Sequence, residues 1–368
     1  MKTILITLLL VLLTGFTYAQ QTYVPDDNFE NYLETHDADG NTVTVGDASS
    51  MGNGIANDNY VLTSRISTVH QLNVQGLSIT DLTGIEDFQN LYTLYCQDND
   101  LTTINISQNT HIVRFKCSFN QLTDLDVTQN VHLQSFSCMN NQLTSLDVSQ
   151  NPDLMRFWCD NNQLTSLDVS NNLDLEWFTF SYNQLTDIDV SHNTHLELLA
   201  CQHNQLTSLN VSHLNNLEWL ECFSNQLTEL RMKIGNSPNL TTFDATYNPN
   251  LICVFVDSAW FMNINWPAAI DDTATYVETQ AECDALEITE AFKETIEVYP
   301  NPINEYLNIQ APNEVSIKSI SIQNMQGQIV YNSSFVPQIK LPNLPSGVYF
   351  LGIENKTGDK AVFKLIKN

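Results

Sequence analysis

The stretch CMNNQLTSLDVSQNP, Cys138 to Pro152, decides the fold because it recurs. Nearly the same phrase appears as CSFNQLTDLDVTQNV from Cys117, CDNNQLTSLDVSNNL from Cys159 and CQHNQLTSLNVSHLN from Cys201. Cysteines stand at Cys96, Cys117, Cys138 and Cys159, then at Cys201 and Cys222. Each step is 21 residues (117 minus 96), except one of 42 in which Phe180 takes the vacant place. Self-similarity at a fixed period of this length marks a solenoid, whose coils bury their apolar faces only against one another.

One unit reads Leu133, Phe136, Cys138, Asn141 and Leu143, then Leu146, Val148 and Asn151. Alternation of period two over residues 136–139 sends Phe136 and Cys138 inward and Ser137 and Met139 outward on a short strand. Asn141 recurs as Asn99, Asn120, Asn162, Asn183, Asn204 and Asn225, and a column of amides can pair turn backbone that close-packed coils would otherwise bury unsatisfied. Leu146 and Val148 are expected to fill the convex side.

This spacing resembles the leucine-rich repeat, L-x-x-L-x-L-x-x-N/C-x-L, with phenylalanine and cysteine in place of two leucines. The resemblance covers residues 69–256 and implies one strand per coil in a parallel sheet on the concave side. A 22-residue variant opens the array (Leu72 to Leu94), and Leu240 and Leu251, 11 apart, read as half a coil at its end. Before it, residues 20–68 form an N-terminal cap in which Asp26-Asp27-Asn28-Phe29-Glu30 marks an N-capped short helix. After it, the apolar residues 257–295 serve as C-terminal cap and linker.

From residue 296 the period stops, and short alternating segments appear between Pro, Gly and Asn: EVYPNP at Glu297, LNI at Leu307, SIQNMQGQIVY at Ser321, LPSGVYFLGI at Leu344 and KLIKN at the end. Residues 296–368 closely resemble the C-terminal sorting domain of type IX secretion, which implies a small Ig-like β-sandwich and passage across an outer membrane. The fold class is thus mainly β: a leucine-rich-repeat solenoid with a short helical cap, followed by the sorting domain.

Residues 1–19, MKTILITLLLVLLTGFTYA, have the charged start, short apolar run and small-residue end of a secretory signal peptide. No later segment is apolar enough to span a membrane. The resulting expectation is a protein secreted or held on the outer cell surface, via the periplasm. Net charge is -28 (42 acidic, 14 basic side chains), which repels phosphate backbones and excludes nucleic acid as an expected partner.

Eight cysteines in an exported chain usually signal disulfides. Six of them stack one coil apart with side chains pointing the same way, a poor approach for an S–S bond, and read as small buried hydrophobes. Cys253 and Cys283 stand outside that ladder and are the candidate disulfide.

Residues one period apart stack, so function is sought in columns. Outward strand positions carry Arg114, Lys116, Arg156, Trp158, Trp177, Trp219 and Phe223, with Phe119, Tyr182 and His203 at the strand ends. Residues 20–290 hold only six basic side chains, Arg65, Arg114, Lys116, Arg156, Arg231 and Lys233, and three share this face. Trp and Arg are the residues enriched in binding hot spots, and aromatic faces also stack on sugars. A second column, Asp126, Asp147, Asp168 and Asp189, is either relieved by hydroxyls of Thr128, Ser149, Ser170 and Ser191 or bound to calcium. A third, His111, His132, Asp153, Asp174 and His195, lacks the preset geometry zinc needs. Asp37-Ala38-Asp39-Gly40-Asn41 matches only the opening of a calcium loop, and Gly52-Asn53-Gly54 reads as a flexible turn.

No catalytic motif is present, and a regular repeat leaves little room for a deep pocket. The functional expectation is a non-enzymatic binding or adhesion module that holds an extracellular protein or glycan on its concave face and meets the type IX machinery through residues 296–368. Calcium is the one cofactor in view. The alternative is a structural surface or matrix spacer with acidic, calcium-binding columns.

Overall fold

The computed structural model describes residues 20–235, 237–312, 316–341 and 343–368; the proposed signal peptide, 1–19, lies outside them. The chain forms two compact units. One comprises residues up to 227, 231–249 and 268–271, the other 228–230, 250–267 and 272–368.

Among the described residues, nine strands of three residues form one parallel sheet in the first unit: Gln71–Asn73, Thr93–Tyr95, Arg114–Lys116, Ser135–Ser137, Arg156–Trp158, Trp177–Thr179, Leu198–Ala200, Trp219–Glu221 and Thr242–Asp244. The register follows the sequence period: Phe115 lies beside Phe136, Phe136 beside Phe157, and Phe157 beside Phe178. Their rings stack at centroid separations of 5.7, 5.4 and 5.5 Å. Each ring is fully buried, worth about 1.5–3 kcal/mol apiece.

The cysteine column lies inward beside that stack. Cys96, Cys117, Cys138, Cys159, Cys201 and Cys222 are free and buried. The thiols of Cys96, Cys117, Cys138 and Cys159 donate to carbonyls of the following coil, as Cys117 Sγ does to Ser137 O at 3.6 Å.

Two asparagine ladders close the turns. In the expected one, Asn141 Nδ2 donates to the carbonyls of Cys117 and Cys138, while its Oδ1 accepts the Leu122 N–H. The second is made by Asn109, Asn130, Asn151, Asn172 and Asn193, all fully buried. Asn151 Nδ2 donates to Val127 O and Asn130 O. The convex side departs from expectation. Val148 is buried but Leu146 is only half-buried, as is Leu167, because nothing packs over that column in the middle coils.

After each strand the chain turns through one residue in the left-handed region, with φ of 59° at Asp98, 55° at Phe119, 53° at Asn140 and Asn161, 54° at Tyr182, 56° at His203 and 54° at Ser224. Asparagine tolerates that conformation; a bulky side chain there costs about 1–2 kcal/mol.

The N-terminal helix spans Asp27–Thr35, and the Asp26 carboxylate caps it by accepting the N–H groups of Asn28 and Phe29. The same carboxylate accepts Thr80 N–H and hydroxyl at 2.8 Å, which ties the cap to the first coil. Gly52-Asn53-Gly54 is more than a turn: the fully buried Glu34 carboxylate accepts the Asn53 and Gly54 N–H groups, and a Cβ on Gly52 would meet it at 2.0 Å.

In the second unit the strand Cys253–Phe255 pairs in parallel with Thr275–Val277 and shares a small core with Cys283. Antiparallel sheets follow, one of Glu297–Tyr299, Tyr306–Gln310 and Gln338–Lys340, and one of Ile329–Ser334, Ile317–Asn324, Gly347–Asn355 and Lys360–Lys367. Leu307 and Ile309 from the first, with Ile320, Ile322, Leu351, Ile353 and Leu365 from the second, form one core.

Candidate binding face on the parallel sheet

A strand of three residues sends its middle side chain into the core and both flanking ones to the opposite face. Nine such strands in register therefore present rows of flanking residues to solvent, as the sequence spacing predicts. One row runs Arg114, Ser135, Arg156, Trp177; the next runs Lys116, Ser137, Trp158, Thr179. Arg114, Arg156, Trp177 and Trp219 are exposed, whereas Lys116, Trp158 and Phe223 are half-buried among their neighbours.

These side chains touch. The Arg156 guanidinium lies over the Trp177 ring, 4.9 Å from its centroid, and the Lys116 ammonium lies over Tyr95 at the same distance. Trp158 and Trp177 meet edge to face at 6.4 Å. Further along, His203 stacks on Tyr182 at 4.1 Å and meets Phe223 edge-on at 5.2 Å. The structure thus joins Arg156, Trp158 and Trp177 in one cluster and Phe223 in another. Trp219 stands on the strand beyond Leu198–Ala200, apart from the first cluster.

Between the two cationic strands lies Ser135–Ser137, whose short side chains make a notch. A hollow of about 350 Å³ opens there, lined among others by Gln97, Lys116, Phe119, Ser137, Met139 and Trp158. Sequence reasoning singled out the large residues and missed this floor; two small residues flanked by Arg, Lys and Trp in adjacent coils were the available signal. It also missed Asp160, which occupies the outward column of Met139 yet is buried, accepting the Thr179 hydroxyl and the Ser181 N–H. Burial pushes its pKa up.

The aspartate column is exposed, and its charge is relieved locally. Asp126 Oδ1 accepts the Thr128 hydroxyl at 2.6 Å and the Thr128 N–H at 2.8 Å. Asp147, Asp168 and Asp189 each accept the N–H of the serine two residues on, at 2.8–2.9 Å. The expected hydroxyls and the backbone N–H groups share the relief, the hydroxyl leading at Asp126 and Asp147 and the backbone at Asp168 and Asp189. The Thr128 hydroxyl depresses the pKa of Asp126, and the backbone N–H groups of Ser170 and Ser191 depress those of Asp168 and Asp189.

Asp37 likewise accepts from Asn41 and from the Asp39 N–H, closing a turn. His132 and Asp153 approach to 3.6 Å, and Asp174 and His195 to 3.9 Å, on exposed turns. Among the described residues no three His, Cys, Asp or Glu side chains converge as a metal-ligand set. Cys253 and Cys283 are bonded, with Cα atoms 5.8 Å apart.

Residues 297–368 match the model of the secretion system C-terminal sorting domain. No curated protein matches the chain. Among solved structures it is similar to the functional domain of InlJ from Listeria monocytogenes, described as including a cysteine ladder, at 21% identity and TM-score 0.46, covering 95% of this chain and 99% of that one. Internalin C2 of the same organism is similar at 17% identity and TM-score 0.48, covering 70% and 98%. Internalin F is similar at 16% and 0.41, covering 72% and 86%.

Proposed function

We propose that this secreted leucine-rich-repeat protein with a type IX sorting domain is a non-enzymatic binding or adhesion module. It captures an extracellular protein or glycan on the open face of its parallel sheet. The carrying observation is the cluster of Arg156, Trp158 and Trp177, held in mutual contact at the surface of a chain otherwise poor in cations. A buried tryptophan contact removes about 150–250 Å² of surface per side chain, enough for a few such residues to dominate an interface.

Export follows from residues 297–368, so the ligand is sought outside the cell. Among the described residues no helix is long and apolar enough to cross a membrane.

The test is capture from extracellular or host-surface polymers by the mature protein, set against the Trp158→Ala/Trp219→Ala variant. Loss of capture with an unchanged melting curve supports the reading. Capture that survives both substitutions refutes it and favours a structural spacer.

A further inference from the structure

Taking the open face as a binding surface, as proposed above, we infer that its notch is a subsite for an anionic saccharide, a sugar bearing a carboxylate or sulfate group. Three observations converge there.

The first is charge. In a chain of net charge -28, Arg114, Lys116 and Arg156 sit on the two strands flanking Ser135–Ser137, Lys116 lining the hollow itself, and among the described residues no carboxylate is ion-paired with any of the three. Arg156 and Lys116 are held instead over the Trp177 and Tyr95 rings, which leaves their N–H groups available. Cations without partners amid an excess of acids make a local attractor for a negative group.

The second is the Gln97 edge of the hollow, which accepts hydrogen bonds. Gln97 Nε2 donates to Gln75 Oε1 and Gln75 Nε2 donates to Asp98 Oδ2, each at 2.7 Å. That chain leaves the buried Gln97 Oε1 without a hydrogen-bond partner and Asp98 as a carboxylate at the rim. An acceptor end asks for hydroxyl donors. A simple anion or a polyacid has none to give; a sugar ring has several.

The third is the apolar wall. Trp158 and Phe119 line the same hollow, Phe119 half-exposed at 52% and held at φ 55°. The repeat imposes that backbone conformation in every coil, and here it sets an exposed ring at the mouth of the hollow. Flat rings suit the C–H face of a pyranose, with the Gln97 and Asp98 acceptors and the Lys116 cation on the same lining. The volume, about 350 Å³, lies in the range of small-ligand sites, roughly 300–1,000 Å³. An acidic peptide is the lesser fit, because its backbone N–H donors come with no flat C–H face to lie on Trp158 and Phe119.

The experiment titrates the full mature protein with polygalacturonate and with a sulfated galactan, against neutral dextran and poly-glutamate, by calorimetry at low and physiological salt. The expected result is binding of at least one anionic glycan and neither control. Trp158→Ala should weaken it about tenfold or more and Lys116→Gln about three- to tenfold, the latter flattening the salt dependence. Ser137→Gln, which fills the notch at the expense of the 2.6 Å hydrogen bond between the Ser137 and Ser118 hydroxyls, should also abolish binding, and thermal melts report whether each variant folds. Failure of both anionic glycans to bind overturns the inference. So does equal binding of poly-glutamate, or binding indifferent to Trp158→Ala. If Trp158→Ala/Trp219→Ala still abolishes capture of another ligand in those cases, the open-face reading stands while the saccharide assignment falls.

Discussion

Replacing Asn141 by alanine removes one rung of the outer ladder, and the structure gives the cost. Asn141 Nδ2 donates to Cys117 O at 3.1 Å and Cys138 O at 3.0 Å, and Oδ1 accepts the Leu122 N–H at 3.0 Å. At about 1 kcal/mol per bond the three are worth about 3 kcal/mol, and stranding a buried N–H raises the total to about 3–5 kcal/mol. Asn151, in the inner ladder, makes two such bonds, to Val127 O at 3.0 Å and Asn130 O at 2.9 Å, and accepts none from a protein N–H. Asn151→Ala should therefore cost only about 2 kcal/mol. Both are measured by urea unfolding of the mature protein, with hydrogen exchange at the Leu122 amide as the local readout. Coupling in a solenoid is between neighbours, so Asn141→Ala should open the coils around Leu122 before distant ones. The reasoning fails if Asn151→Ala costs as much as Asn141→Ala, or if Leu122 exchange is unchanged.

Breaking the Cys253–Cys283 bridge with serines releases a loop of sequence separation 30, an expected loss of about 3–4 kcal/mol in the second unit, read by thermal melting. The six ladder thiols, whose pKa values burial pushes far up, should resist a thiol reagent in the native protein and react only in denaturant. Asp126, Asp168 and Asp189 have depressed folded pKa values, so their stabilisation holds above the unfolded carboxylate pKa and is lost as pH falls through the folded values. Asp160, raised, acts oppositely: its penalty is present at neutral pH and is relieved by protonation on acidification. Asp160→Asn, whose amide can donate to Thr179 and accept from Ser181, should leave stability at pH 7 equal or higher, checked by melts across pH 4–8. Deleting residues 297–368 should leave the protein behind the outer membrane, as cell fractionation would report.

The architecture was readable because equal coil length turns spacing into adjacency: the period in Cys117, Cys138 and Cys159 is the strand register itself. The N-terminal helix was legible for a local reason, a capping aspartate before an apolar-spaced segment. What resisted reading depends on neighbours that sequence periodicity does not name. Leu146 has the spacing of a core residue, yet no chain covers it. Phe119 and Tyr182 occupy left-handed positions against their own preference, held there by the repeat. On the candidate face, the tryptophans and arginines were evident as residue types. The notch between them was not, since it is made by the smallness of Ser118 and Ser137 and by the side chain of Gln97 one coil earlier.

The thiol column also carries a demand on timing. On the route that a signal peptide at residues 1–19 implies, eight cysteines would leave the cytoplasm unfolded and meet oxidants before any coil has closed, yet only one pair ends bonded. A thiol is safe once the following coil has shut over it, so maturation becomes a race between winding and oxidation. A substitution that slows winding without weakening the finished protein would still reduce yield, through wrongly paired chains that an added reductant rescues.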